Sequence, residues 1–235
     1  GLTRDAITVP WAWQDRPVRL VDTAGLRRKS RIDEKLEKMS VTETLRAIDL
    51  AHVVVLVVDP VVGMDRQDIT IADRVLAEGR ALLIAVNKWD LIEDRAAALK
   101  LIEDKLERSL AQGRGVPVVT FSALTGKHLD RLMPKVFALY DQWNRRFPTA
   151  ALNRWLAAAT AAHPPPAVQG RHIRIRYATQ IKTRPPTIAL FASRPEKMPE
   201  AYGRYLVNDL RQAFDLPGVP VRIVWRKGKN PFAPA

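Results

Sequence analysis

Through the first 150 residues, short apolar runs alternate with stretches in which apolar positions recur every three or four residues. Residues 53–58, 81–86 and 116–121 are rich in Val, Ile and Leu and have the length of strands buried on both faces. Residues 33–48, 65–78, 95–110 and 128–145 read as helices; in the last, Leu129, Leu132, Val136, Leu139 and Tyr140 fall at helical spacing. Residues 6–13 and 18–21 flank Gln14-Asp15, a hairpin-like break, and predict two strands that pair antiparallel at one edge. Repetition of strand and helix predicts a mainly parallel sheet covered by helices.

After residue 148 the pattern changes. Residues 149–162 predict a helix ended by His163-Pro164-Pro165-Pro166. Residues 171–180 and 187–192 predict strands, residues 202–214 a helix stopped by Pro217-Gly218, and residues 219–225 a last strand. The order α-β-β-α-β describes a small sheet with helices on one face. Two domains are expected, residues 1–148 and 149–235.

Charge sharpens the division. The 235 residues carry a formal +13. Residues 1–150 hold 24 basic and 21 acidic side chains, and residues 151–235 hold 14 and 4. The shorter part therefore carries most of the excess, which favours a polyanionic partner through phosphate contacts and counterion release; solvated basic surface is the alternative. With no cysteine and four histidines, a disulfide scaffold, an iron–sulfur centre and a Cys-based zinc site are excluded. Neither end reads as a signal peptide or lipid anchor, and the longest apolar run has strand length. The expectation is a cytoplasmic protein, monomeric, with no membrane and no DNA partner.

Candidate chemistry clusters at strand ends. Leu20-Val21-Asp22-Thr23-Ala24-Gly25 is a strand that ends in a carboxylate and runs into a glycine turn. Asp22 there can hold a magnesium-bound water, and the Gly25 amide can meet a terminal phosphate, or Asp22 can simply cap the turn. Asn87-Lys88-Trp89-Asp90 follows the apolar run 81–86. Asp90 suits the N1–H and exocyclic amine of guanine, Asn87 can donate to N7 or orient the adjoining loop, and the Lys88 stem can cover the ring. Ser122-Ala123-Leu124 follows the run 116–121, with backbone amides suited to a 6-oxo group. Thr3 precedes the first strand, and its hydroxyl can coordinate magnesium. Arg27, Arg28 and Lys29 follow the glycine turn as a basic loop. No G-x-x-x-x-G-K-[ST] segment occurs in the sequence. Such a loop cradles phosphates, and it is expected before Thr3 in a longer polypeptide of which this sequence is a part.

In their order T-R-D, D-T-A-G, N-K-W-D, S-A-L, and with the second part attached, the chain resembles the bacterial double GTPases of the EngA/Der family, within the Era/TrmE group. The resemblance extends to His163–Pro166, Pro185-Pro186-Thr187 and Asn230-Pro231-Phe232. It implies a P-loop NTPase-like α/β fold, with helices on both faces of the sheet and incomplete at its N-terminus, followed by a small α+β KH-like domain. It also implies GTP hydrolysis in large (50S) subunit assembly, with GTP or GDP, Mg2+ and K+ as ligands. The implied partners are the large ribosomal subunit, its rRNA and an upstream GTPase domain of the same polypeptide. By motif position, Thr3 and Asp22 would hold magnesium and, with Gly25, form the catalytic set. Asp22, Thr23, Ala24, Gly25 and Leu26 would line the phosphate side, and Asn87, Lys88, Trp89, Asp90, Ser122 and Ala123 the base. Residues 27–37 would form a second switch. Leu2 departs from the family's usual Thr, and Leu26 stands where many regulatory GTPases have a water-orienting Gln, so no side-chain base is named. A non-catalytic RNA- or ribosome-binding protein with a degenerate nucleotide domain is the alternative.

The KH-like part has no GXXG loop between its helices. Arg171, Arg174, Arg176, Lys182, Arg184, Arg226, Lys227 and Lys229 are the candidate rRNA phosphate contacts, with Arg174 and Arg176 expected on one strand face. Tyr177 and Trp225 are candidates for base stacking or for the core.

Overall fold

The computed structural model describes residues 7–22, 47–112, 114–168 and 171–227. Strands β1 (Ile7–Trp13) and β2 (Arg16–Asp22) form an antiparallel hairpin around Gln14-Asp15, both at positive φ. Among the described residues this hairpin is its own two-stranded sheet and adds to no other. Its tip rests on a later helix, α3 (Leu132–Trp143): Trp13 stacks on Phe137 with centroids 5.5 Å apart, and the Arg16 guanidinium lies 3.8 Å from the same ring.

The central sheet has the order β3 (Val53–Val58), β4 (Ala81–Val86), β5 (Val118–Thr120), all parallel. All six residues of β4 are buried, because helices cover both faces. Leu82, Ile84 and Val86 meet α1 (Arg66–Ala77) and α2 (Arg95–Ser109), while Ala81 and Leu83 turn toward Leu139 and Trp143 of α3. Helix α1 starts on a capping box in which Asp65 and Asp68 each accept the other's backbone N–H, at 2.8 and 3.0 Å. β5 is shorter than the apolar run predicts because Pro117 cannot donate to a ladder. Residues 128–145 are not one helix: His128 sits at φ 65°, a single 3-10 turn follows, and α3 begins at Leu132.

The second part is α4 (Thr149–Ala162), a short hairpin of β6 (Ala167–Val168) and β7 (Arg171–His172), then β8 (Ile175–Lys182), β9 (Thr187–Ala192), α5 (Glu200–Ala213) and β10 (Arg222–Lys227). Its sheet runs β10-β9-β8, with β9 parallel to β10 and antiparallel to β8. A break at Ile173-Arg174 and a register shift between Ile175 and Tyr177 separate Arg174 from Arg176, so simple alternation does not put them on one face. The last strand starts three residues later than the apolar pattern predicts. Pro220 lacks a ladder donor, and Val219 and Val221 are spent elsewhere.

They are spent between the two parts. One core cluster joins Ala81, Leu83, Leu139 and Trp143 to Leu152, Ile188, Leu206, Val219 and Val221. The Leu82 N–H donates to the Gly218 carbonyl at 2.8 Å, one ladder step below the bond from Ile84 N–H to Pro117 O at 3.0 Å. The loop after α5 thus extends the edge of the first sheet. Gly218 fits there at φ 66°, where a Cβ would lie 2.5 Å from Leu82 O and 2.6 Å from Pro117 Cδ. Gln112 brackets the Val221 backbone, accepting its N–H at 3.0 Å. Arg211 is buried and donates to Arg114 O at 3.1 Å; burial pushes its guanidinium down to about 10, so it stays cationic at neutral pH. Trp143 donates its indole N–H to Gly79 O at 2.8 Å, and Gln180 bonds both Phe147 N and Arg145 O.

Candidate nucleotide site

The parallel strands β3, β4 and β5 point their C-terminal ends the same way, where open α/β sheets hold ligands. The ladder runs on past the strands: Asn87 N–H donates to Val58 O and Phe121 N–H to Val86 O, each at 2.9 Å. Two loops are thereby brought side by side. Their link is the Asn87 carboxamide, whose Oδ1 accepts from Lys88 N at 2.7 Å and from Ala123 N at 2.9 Å. Of the two parts Asn87 can play, its oxygen takes the orienting one. Trp89 adds a second tie through its N–H to Phe121 O at 3.1 Å. Its indole is buried with Val86 and Ile102, so it anchors the loop and leaves only backbone to a ligand.

Lys88 adopts φ 60°, and the residues after it form a 3-10 turn, Trp89–Leu91. That turn exposes Asp90, whose carboxylate has no protein partner among the described residues. The Lys88 ammonium lies 2.7 Å from Asp59 Oδ2, an ion pair that runs the lysine stem across the loop. Asp59 follows β3, and its other oxygen accepts from Val61 N at 3.0 Å. Sequence reading passed over Asp59; its only local signal is a carboxylate directly after an apolar strand. Ser122 is buried, with its Oγ accepting from Thr125 N at 3.2 Å and its N–H bonded to Lys127 O at 3.0 Å. The Ala123 N–H is taken by Asn87, and the neighbouring Leu124 N–H meets no protein acceptor among the described residues.

Asp22 is the last residue of β2, paired in register with Ile7. Thr3, Thr23, Ala24, Gly25 and Leu26 lie outside the described residues, as does the 27–37 segment. Among the described residues, the structure brings the Asn87–Asp90 loop beside Ser122 and Ala123.

Residues 1–142 match the elongation factor Tu GTP-binding domain family, and residues 146–226 match the KH-domain-like family of the C-terminal part of EngA bacterial GTPase enzymes. The GTPase Der of Parvibaculum lavamentivorans is 52% identical over 233 residues, covering 99% of this chain and 49% of that protein. The GTPase Der of Bartonella henselae is 53% identical, again over 99% of this chain and 49% of the relative. The chain thus spans about half the length of the curated relatives it matches. A solved structure of Era, in complex with MgGDPNP and nucleotides 1506–1542 of 16S ribosomal RNA, is similar at TM-score 0.48 and 16% identity, covering 96% of this chain and 81% of that one.

The parallel α/β domain of residues 1–142 belongs to the elongation factor Tu GTP-binding domain family and is joined to a KH-like module. Within that class the chain belongs to the EngA/Der family of GTPases and corresponds to their second half. Among the described residues, no helix is long and apolar enough to cross a membrane.

Proposed function

We propose that the polypeptide carrying this chain binds and hydrolyses GTP and acts in assembly of the large (50S) ribosomal subunit. The observation that carries the nucleotide part is the Asn87 carboxamide tying two strand-end loops together beside an exposed Asp90, which has no protein partner among the described residues. Guanine offers two adjacent donors, N1–H and the exocyclic amine, to one carboxylate; adenine does not. Asp90 takes those donors, the Lys88 stem covers the ring, and Asn87 Nδ2 reaches N7. Ser122 and Ala123 close over the base.

The phosphate side falls to Asp22, Thr23, Ala24, Gly25 and Leu26, with Thr3 and Asp22 as magnesium ligands and potassium as a further ion. Catalysis in this reading rests on positioning and charge stabilisation of an in-line water attack. A strand that brings a phosphate loop has a place to pair, since the outer edge of β3 has no neighbour among the described residues. The proposed division is a nucleotide domain of residues 1–148 and a KH-like domain of residues 149–235. Partners are an upstream GTPase domain of the same polypeptide and the rRNA of the large subunit, in the cytoplasm; the charge of residues 151–235 supports the rRNA contact.

Co-sedimentation tests this reading. The full-length polypeptide is expected to pellet with purified 50S subunits in the presence of a non-hydrolysable GTP analogue and to release in GDP. Pelleting that ignores the nucleotide would favour the non-catalytic ribosome-binding alternative instead.

A further inference from the structure

Sheet register sets a carboxylate beside the loop that carries Asn87 to Asp90. Val58, the last residue of β3, pairs with Val86, the last of β4, and the ladder continues as Asn87 N–H donates to Val58 O at 2.9 Å. Asp59 therefore leaves β3 next to Asn87 and Lys88. Its own turn fixes its place: Oδ1 accepts from Val61 N at 3.0 Å, and its carbonyl accepts from Gly63 N at 2.9 Å. Oδ2 meets the Lys88 ammonium at 2.7 Å. The Asp59 side chain is 19% exposed and that of Lys88 55%, so the carboxylate is the sheltered end of the pair. Lys88 stands at φ 60°, a region that a lysine rarely adopts unaided. Asn87 Oδ1 holds its N–H at 2.7 Å, and Asp59 holds its ammonium. In the order β3-β4-β5, Asp59 lies on one side of the Lys88 loop, and Ser122 and Ala123 lie on the other. The ion pair thus draws the ammonium toward β3, away from the Ser122–Ala123 loop.

We propose that Asp59 is a positioning residue for the guanine site: through its ion pair it holds the Lys88 stem extended as one wall of the base slot before nucleotide arrives, and so sets how long the nucleotide stays. The inference rests on the nucleotide reading above and adds a residue to that site. Asp59 does not touch the base in this account; Asp90 chooses the base, and Asp59 acts only through Lys88. A lysine stem is flexible and loses rotamer freedom when it packs against a ring. A stem already anchored at its charged end loses less, which lengthens the life of the complex. The anchor is a charge-assisted hydrogen bond, stronger than a neutral one of the same length. An aspartate that merely closed its own turn would need Oδ1 alone, which is the oxygen that Val61 N–H uses. Because Oδ1 serves the turn and Oδ2 serves Lys88, substitution separates the two roles. Asp59→Asn keeps an acceptor for Val61 N–H and removes the charge that holds the lysine.

The test follows release of fluorescent N-methylanthraniloyl-GDP from the full-length polypeptide, with magnesium and salt fixed. Asp59→Asn is expected to raise the dissociation rate about fivefold, the scale of a partly exposed ion pair, and to keep the preference for GDP over xanthosine diphosphate. Lys88→Met keeps an unbranched stem, lacks the ammonium and leaves the Asp59 turn alone; it is expected to raise the rate by a similar factor. The double variant Asp59→Asn/Lys88→Met is expected to release nucleotide no faster than Lys88→Met, because the carboxylate acts through the lysine. Asp59→Glu retains the charge and is expected to stay within about twofold of the unaltered protein. Effects that multiply in the double variant overturn the proposal by giving Asp59 a role independent of Lys88. A lost preference for GDP over xanthosine diphosphate in Asp59→Asn overturns it by placing Asp59 on the base. An unchanged rate in Lys88→Met also overturns it, and reads the pair should Asp59→Asn fail to fold. Failure of the unaltered protein to bind GDP removes the nucleotide reading itself.

Discussion

Asp90→Asn in the full-length polypeptide is expected to weaken GDP binding by at least about a hundredfold and to make xanthosine diphosphate the preferred ligand. The reason is local and chemical. Asp90 is held on a turn whose other residues are fixed: Trp89 is buried and bonded to Phe121 O, and Lys88 is in the left-handed region and paired with Asp59. The carboxylate itself is exposed, so exchange for an amide alters recognition with little effect on folding. An amide turns one acceptor into a donor that opposes the guanine amine, while the 2-oxo group of xanthine accepts from it. A paired titration with the two diphosphates reads the change. Retention of the original guanine-over-xanthine ranking would separate Asp90 from base recognition.

The second large effect is expected at Gly218. Gly218→Ala places a methyl group against a backbone oxygen and a proline ring, at 2.5 and 2.6 Å, on a residue with φ 66°. Left-handed strain contributes about 1–2 kcal/mol and overpacking about 1–3 kcal/mol more. Gly63→Ala supplies the comparison, since Gly63 has φ 76° but nothing within 4 Å of its would-be Cβ. Unfolding free energies of the two variants should differ by at least about 1 kcal/mol, read as a lower denaturant midpoint for Gly218→Ala. Equal midpoints would mean that the Leu82–Gly218 bond and the close approach around it do not join the two parts.

These two residues also show what the amino-acid pattern reveals. The buried strands were legible because continuous Val, Ile and Leu over six residues has few other uses in a helix-covered sheet. Helices with strong periodicity, such as α1 and α5, sit within two residues of their expected ends. The loop carrying Asn87 to Asp90 was readable because donor and acceptor chemistry is written in consecutive residues. Asp59 was not, because its pairing with Lys88 joins positions 29 apart. The contacts between the two parts are more distant still. Gln112 reaches Val221 across 109 positions, and Arg211 reaches Arg114 across 97, and no local period records either. The short β6–β7 hairpin was missed because strands of two residues have no alternation to read. Tyr177 and Trp225 looked alike in sequence; only the register of β8 and β10 against β9 puts them on opposite faces of the sheet, Trp225 against the core.

The buried core is continuous from the first sheet into the second. Leu83 of β4 and Ile188 of β9 belong to one cluster, and β4 runs directly into Asn87. The two parts thus share one buried core across their boundary.

Isothermal titration of the full-length polypeptide with GDP and with ADP, under identical magnesium and salt, bears most directly on this account. A carboxylate aimed at the Watson–Crick edge of the base predicts tight GDP binding and ADP binding weaker by about a thousandfold or more. Matching affinities for the two diphosphates would contradict it.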